Sequence, residues 1–307
     1  MKSTLEAVRP TVFIESEKLK TFTNLDLTIA SETFQHTGSF KFRAAYNLAL
    51  NVGNTAILTA SSGNFGQALA YACRLLDKKC TVVMPETSAK VKIEAVKSYG
   101  ATVDLIDTQK VGRAARVSQL AEQIPDVYVA SAYDDLLVIE GNSTLGDELS
   151  AKDFDLIISP VGGGGLIAGI SKGLCRSGHH AELIGAEPLL ANDAARSLKA
   201  GKIIANESEP QTIADGARTI SLGQHNWAII EKGVTEIIEV SDEKIIEATR
   251  LLFALANLKS EPTGALALGA ILENRESFVG KKICLVVSGG NVDAEVYRQI
   301  LSFESRL

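Results

Sequence analysis

The sequence predicts an α/β protein built on two open, twisted, mostly parallel sheets with flanking helices. Three observations carry this prediction. Short β-branched and aliphatic runs alternate with longer stretches in which apolar residues recur every three or four positions, the pattern of βαβ units. At 307 residues and 46% hydrophobic content, the chain has material for more than one core, because a single core stops growing at roughly 250–300 residues. No internal repeat or low-complexity linker interrupts the chain, so a second lobe must form by the chain leaving one sheet and returning to it. Residues 51–135 are expected to make the smaller lobe, and 1–50 with 136–307 the larger one. A ligand is then expected in the cleft between the lobes, beside the carboxyl ends of strands.

In chain order, the first strand is read at 27–30, where Leu27, Thr28 and Ile29 suit a pleated, half-buried surface. A helix follows over 40–50, with Phe42, Ala45, Tyr46 and Ala49 on one face. The strand at 56–59 leads into a helix over 66–76, the strand at 81–84 into a helix over 89–99, and the strand at 102–106 into a helix over 112–123. In the second half, the run Leu156-Ile157-Ile158-Ser159 is a strand that leads into a helix over 165–174. Strands at 183–186 and 237–240 follow, then helices over 242–258 and 263–273, and a closing strand over 283–287.

Composition excludes several function classes. The net charge of −6, from 31 basic and 37 acidic residues spread without long runs, offers no clustered basic patch for nucleic acid. The longest uncharged stretch, residues 44–73, is broken by Asn51, Gly53, Asn54, Ser61, Ser62 and Asn64, so it never supplies the roughly 20 apolar residues of a spanning helix. The start, Met1-Lys2-Ser3-Thr4-Leu5-Glu6, lacks a signal-peptide core, and a cytoplasmic location is expected. Cys73, Cys80, Cys175 and Cys284 form no CxxC pair, and His36, His179, His180 and His225 lack zinc-ligand spacing. Reduced thiols buried in the core are expected.

Chemistry concentrates at four stations. Thr37-Gly38-Ser39-Phe40-Lys41-Phe42-Arg43 places a lysine flanked by small and aromatic residues at the mouth of a helix. Most lysines are solvated surface groups, so Lys41 carries weight only with the other stations. Ser61-Ser62-Gly63-Asn64-Phe65-Gly66-Gln67 is a hydroxyl- and amide-rich turn after a strand. Val161-Gly162-Gly163-Gly164-Gly165-Leu166 follows an apolar strand and opens a helix. Adjacent residues without Cβ let several backbone N–H groups converge on one anion there, and the helix dipole favours negative charge. Ser288-Gly289-Gly290-Asn291 offers a hydroxyl at a strand end that can bond a ring nitrogen. A tight turn made for close packing also explains the glycines, and turn capping also explains Ser61 and Ser62. Gly163-x-Gly165-x-x-Ala168, with Glu187 about twenty residues on, also fits a dinucleotide fingerprint. Alone it would suggest NAD, but NAD binding needs neither the turn at 61–67 nor Ser288.

Taken together in this order, the stations resemble those of the β-family, or fold type II, of pyridoxal-phosphate enzymes, the tryptophan synthase β-like architecture. Within it the chain is similar to the serine/threonine dehydratase and serine racemase group. Ala186-Glu187-Pro188, Thr212-Ile213-Ala214-Asp215-Gly216, Asn226-Trp227 and Glu261-Pro262-Thr263 extend the likeness, which runs from Val8 to Asn291. By position, it implies that Lys41 carries pyridoxal 5′-phosphate as a Schiff base, that Phe40 walls the ring, and that Asn64 bonds the cofactor's 3′-oxygen. Gly162, Gly163, Gly164 and Gly165, with the N–H of Leu166, would hold the phosphate. Ser288 would face the pyridine nitrogen. A neutral hydroxyl does not enforce a protonated ring, which suits elimination. Ser61, Ser62, Gly63, Asn64 and Gln67 would fix the substrate carboxylate.

The implied chemistry is α-proton removal by the freed Lys41 amine, departure of a β-hydroxyl, and hydrolysis to a 2-oxo acid and ammonia. Ser62, on the face opposite the lysine, would allow reprotonation from the other side and hence racemisation. Glu187, the Ala191 carbonyl and Asp193 match the family's site for Mg²⁺, or for Mn²⁺ or Ca²⁺. The same spacing fits an ordinary helix start with acids near its positive end. Gly141-Asn142-Ser143-Thr144 stands where relatives have Gly-Gln-Gly-Thr, Phe65 where histidine is common, and Arg43-Ala44-Ala45 where Arg-Gly-Ala is usual. These departures bear on substrate more than on cofactor. Arg113 could reach the distal carboxylate of 3-hydroxyaspartate, although a solvated helix face also accounts for it.

The expected activity is that of a pyridoxal-phosphate-dependent ammonia-lyase, a dehydratase converting L-threonine or L-serine to a 2-oxo acid and ammonia. Serine racemase and threo-3-hydroxyaspartate ammonia-lyase are the alternatives within the fold, followed by a β-replacement enzyme. An NAD-dependent oxidoreductase and a non-catalytic amino-acid-binding protein are the alternatives outside it. The expected partner is a small-molecule amino acid, with no nucleic acid and no membrane, and the resemblance adds a homodimer. With the sequence ending at Leu307, an appended regulatory domain and feedback by isoleucine are not expected.

Overall fold

Ten strands and thirteen α-helices run through residues 2–88 and 90–302, the part of the chain that the computed structural model describes. The strands are β1 (Val12–Glu15), β2 (Asp26–Ser31), β3 (Ala56–Ala60), β4 (Lys79–Pro85), β5 (Thr102–Ile106), β6 (Val127–Val129), β7 (Leu156–Pro160), β8 (Glu182–Pro188), β9 (Glu236–Val240) and β10 (Lys282–Val287). The helices are α1 (Thr4–Ala7), α2 (Glu17–Thr23), α3 (Lys41–Asn51), α4 (Asn64–Leu75), α5 (Lys90–Ser98), α6 (Arg113–Gln123), α7 (Leu136–Ser150), α8 (Gly165–Ser177), α9 (Asp193–Ala200), α10 (Gln224–Gly233), α11 (Asp242–Ala256), α12 (Pro262–Glu273) and α13 (Ala294–Ser302).

They form two sheets, one six-stranded in the order β1-β2-β10-β7-β8-β9 and one four-stranded in the order β5-β4-β3-β6. Only the β1–β2 pair is antiparallel; the other described pairs of strands run parallel. The mixed α/β architecture expected from the alternation is the one observed. The position of β10 decides where chemistry can happen. It lies between β2 and β7, with Val287 opposite Ser31 and Leu285 opposite Ile158. The carboxyl ends of these three strands are therefore neighbours. The loop to Lys41, the Ser288 segment and the glycine loop leave the sheet side by side.

Parallel strands covered by helices on both faces must be apolar throughout. Leu156, Ile158 and Leu285 face Leu252 and Leu266 of α11 and α12. The alternate positions Ile157, Cys284 and Val286 face Ile167 and Ile170 of α8, as a period of two requires. The smaller sheet repeats this arrangement, with Ile57 and Val82 against Leu69 of α4 and with Leu58 and Val83 against Leu120 of α6.

Every strand and helix expected from the sequence is present, with ends shifted by a few residues; the helix read from residue 89 begins one residue outside the described part. Several elements were not expected, among them β1, β6, α9, α10 and the 15-residue α7. In α7, glycine and short polar residues mask the helical signal. Tertiary packing explains them. A Cβ at Gly141 would stand 2.4 Å from the Arg43 carbonyl oxygen of α3, and one at Gly146 would stand 2.5 Å from the Ile170 carbonyl oxygen of α8. The backbones meet too closely for a side chain. The departure at Asn142 is likewise structural, since its Nδ2 donates to the Gly165 carbonyl at 2.9 Å.

Of the four thiols expected in the core, Cys73, Cys80 and Cys284 are buried, but Cys175 is exposed, on a face of α8 that also carries the exposed Lys172 and Arg176. No described helix is long and apolar enough to cross a membrane.

Candidate active site

A cavity of about 560 Å³ opens between the two sheets, and residues of all four stations line it. Phe40 and Lys41 come from the start of α3, Ser62, Gly63 and Asn64 from the turn after β3, the four glycines and Leu166 from the loop after β7, and Ser288 from the end of β10. Ser61 lines it as well, but Gln67, one turn into α4, is not among the lining residues. Glu187, Ala191 and Asp193 lie elsewhere, at the end of β8 and the start of α9.

The chain reaches Lys41 through two left-handed residues, Thr37 at φ 61° and Gly38 at φ 77°. Gly38 is confined as well, because a Cβ there would stand 2.4 Å from the Asn291 Oδ1. The Phe40 N–H then donates to the Ser288 carbonyl at 2.9 Å, tying the lysine loop to the serine station. Lys41 Nζ donates to the Ala132 carbonyl at 2.8 Å and lies 5.0 Å from the Phe40 ring centroid and 5.8 Å from that of Phe65. The side chain faces the open cavity, so part of it stays accessible, yet the protein surrounding it disfavours the charge. Burial lowers the Lys41 amine to about 8, with the Glu261 charge opposing the shift. An amine so depressed is a competent nucleophile and base near neutral pH.

Two helices aim amino termini at the cavity. At neither start does the N-cap residue itself, Gly63 of α4 or Gly164 of α8, supply a side-chain cap, so first-turn N–H groups other than that of Gly66 remain available to anions. Ser61 Oγ accepts the Gly66 N–H at 3.1 Å, so the capping role foreseen for it is real. At the glycine loop, Gly164 has φ 90°, and a Cβ at Gly163 would enter the Tyr133 ring at 2.3 Å. Close packing therefore demands glycine whether or not an anion binds. Asn226 Nδ2 donates to the Gly163 carbonyl at 2.6 Å, fixing the orientation of that peptide.

A depressed primary amine, a buried hydroxyl at Ser288 (2% exposed), an amide at Asn64 and an uncapped glycine-rich helix start together fit an aldehyde-bearing pyridine ring with a phosphate arm. The family model described as pyridoxal-phosphate dependent enzyme matches residues 4–289. The chain belongs to that family. It is 37% identical over 293 residues to an L-threo-3-hydroxyaspartate ammonia-lyase of Pseudomonas sp, covering 93% of this chain and 91% of the relative. It is 34% identical over 300 residues to serine racemase of Homo sapiens, covering 94% and 88%. The crystal structure of a threonine deaminase from T.th. shares its fold with a TM-score of 0.88 and 37% identity, covering 94% and 95%. This pyridoxal-phosphate enzyme thus falls among the fold type II lyases and racemases.

The dinucleotide alternative fails on Glu187 as well. In this pyridoxal-phosphate enzyme Glu187 is fully buried, and its two oxygens accept the N–H groups of Ala194 and Ala195 at 2.9 Å each. It caps α9 and presents nothing to a ribose. Burial and the Asp193 charge push Glu187 well up, and burial raises Asp193 to about 6. Asp193 Oδ1 accepts from Asn206 Nδ2 at 2.8 Å, while its Oδ2 is buried without a partner. No group of three or more His, Cys, Asp or Glu suited to a metal occurs among the described residues.

Glu261, Tyr133, Lys92 and Arg218 also line the cavity and were not singled out as site residues from sequence. Glu261 is almost wholly buried, and burial together with the Asp215 charge raises its carboxyl to about 7. The one local signal, an acid before Pro262, reads as an ordinary helix start.

Proposed function

We propose that this enzyme is an ammonia-lyase that dehydrates a β-hydroxy amino acid carrying a second carboxylate, threo-3-hydroxyaspartate, in preference to L-serine or L-threonine. The charge at the cavity mouth carries this choice. Lys92, Arg113 and Arg218 line the cavity; Lys92 is paired with Asp215 at 2.8 Å, which leaves the two arginines for a second carboxylate. Arg113 lies 4.0 Å from Glu209, a loose pair that a substrate carboxylate can replace. Arg218 is held by the Thr212 carbonyl at 2.8 Å rather than by a carboxylate. The hydroxyaspartate ammonia-lyase at 37% identity supports the same substrate.

When bound, pyridoxal phosphate supplies the electron sink that acidifies the Cα–H bond of an attached amino acid. The protein's part is placement and proton handling. Main-chain N–H groups at the start of α4, that of Asn64 among them, hold the α-carboxylate with Ser62, and Arg113 holds the distal one, which orients the Cα–H bond. Lys41 Nζ takes the α-proton. The glycine loop with the Leu166 N–H would grip the phosphate, Ser288 would meet the ring nitrogen without adding charge, and Asn64 would meet the 3′-oxygen. The Ser62 hydroxyl can return a proton to Cα, the basis for racemisation as a side activity. Glu187, Asp193 and the Ala191 carbonyl offer hard oxygen ligands for a divalent cation such as Mg²⁺, and the unpartnered Asp193 oxygen supports that role, which would brace α9 rather than join the chemistry.

A panel of serine, threonine and 3-hydroxyaspartate, scored for 2-oxo acid and for D-amino acid, tests the proposal. Arg113→Ala is expected to raise KM for 3-hydroxyaspartate roughly tenfold or more while leaving that for serine within about twofold. Turnover of serine and threonine with none of 3-hydroxyaspartate would sink the substrate assignment.

A further inference from the structure

Among the described residues that line the cavity, Glu261 is the one buried acid, and its carboxylate caps no helix. It precedes α12 without a side-chain bond to it. Both of its oxygens meet a single donor, Asn64 Nδ2, at 2.8 and 3.1 Å. From the other side, Asn64 Oδ1 accepts Asn291 Nδ2 at 2.8 Å, and the same Nδ2 donates to the Thr37 carbonyl at 2.7 Å. The Asn64 amide can therefore point only one way, with its NH₂ group between Glu261 and the cavity. Gly289 makes room for this clasp, since a Cβ there would stand 2.8 Å from the Glu261 Oε1.

We propose that Glu261 is a positioning residue: it fixes the Asn64 amide as a hydrogen-bond donor toward the cofactor and holds a titratable proton beside it. One N–H of Asn64 goes to Glu261 and the other remains for the cofactor's 3′-oxygen. An ionised Glu261 makes the amide a weaker donor at the second N–H, and a protonated one releases it. The charged groups facing Glu261 are Asp215, which favours its protonated form, and Lys92 and Lys41, which favour the ionised form. With burial added, the carboxyl is pushed up to about 7, so the amide's donor strength changes around neutral pH.

The proposal rests on the cofactor pocket assigned above, which is tested separately: a Lys41→Ala protein that still forms a borohydride-reducible adduct would refute the pocket itself. For Glu261, the readout is the absorbance of the bound cofactor in the holoenzyme across pH, together with cofactor affinity. Glu261→Gln keeps the shape and an acceptor for Asn64. The unsubstituted holoenzyme is expected to show a spectral inflection near neutral pH, and Glu261→Gln to retain the cofactor but lose that inflection. Asn291→Ala is expected to weaken cofactor binding roughly tenfold while keeping the inflection, because it frees the amide without removing the acid. Should Glu261→Gln fail to fold, Glu261→Asp serves, with the inflection displaced and affinity reduced. An unchanged titration and affinity in the folded variant would reduce Glu261 to packing.

Discussion

At the scale of single residues, the lysine is where burial becomes chemistry. Lys41 is lowered to about 8, so its amine is mostly protonated below that pH and mostly free above it. Proton removal needs the free form. The turnover number is therefore expected to rise with pH through a midpoint near 8, and a profile flat between about pH 6 and 9 would remove Lys41 as the base. The lysine was legible because small and aromatic neighbours at a helix mouth are an unusual setting for that residue type, and Ser288 because a hydroxyl directly follows an apolar strand. Glu261 was not. Its partner Asn64 lies 197 positions away in the chain, and no local pattern encodes a clasp at that distance. Gln67 shows the converse, for it belongs to the right motif, yet the turn of α4 that follows Asn64 carries it past the cavity lining.

At the scale of elements, the long helix hidden in the sequence braces the glycine loop. α7 and α8 cross at glycines from both sides: a Cβ at Gly146 would stand 2.5 Å from the Ile170 oxygen, and one at Gly173 would stand 2.5 Å from the Ser143 oxygen. In α7 itself, Gly141 and Gly146 with the short polar run Asn142-Ser143-Thr144 make a poor helix by propensity and a good one by packing. Gly146→Ala forces two backbones apart and is expected to cost about 1–3 kcal/mol, read as a lowered thermal midpoint. Because α8 begins at Gly165 and Asn142 of α7 holds the Gly165 carbonyl, cofactor affinity should fall with it. Gly53→Ala, at a position with nothing within 4 Å of the added Cβ, is the control. Equal midpoints for the two variants would mean that the crossing yields without cost.

At the scale of the molecule, the alternation of strands and helices predicted parallel sheets but could not reveal that β10, last in sequence, inserts between β2 and β7. Strand order is a non-local property, and that insertion gathers Lys41, Ser288 and the glycine loop. Specific polar ties cross the cleft. Asn64 meets Glu261, Lys92 meets Asp215 at 2.8 Å, and the Asp134 carboxylate accepts the Gln224 and His225 N–H groups of α10 at 3.0 and 2.9 Å. A partly exposed ion pair such as Lys92–Asp215 contributes only about 0–1 kcal/mol. A ligand gripped from both sheets contributes more: at a hundred times its dissociation constant, pyridoxal phosphate adds about 2.7 kcal/mol to the folded state. If the proposed contacts from Asn64 on one side and from Lys41, Ser288 and the glycine loop on the other all form, this stabilisation must reach both sheets. Amide hydrogen exchange is then expected to slow in β3 and β4 as well as in β7 and β10 when the cofactor binds. Slowing confined to the six-stranded sheet would place the cofactor on one side of the cleft, and Asn64 would lose its role.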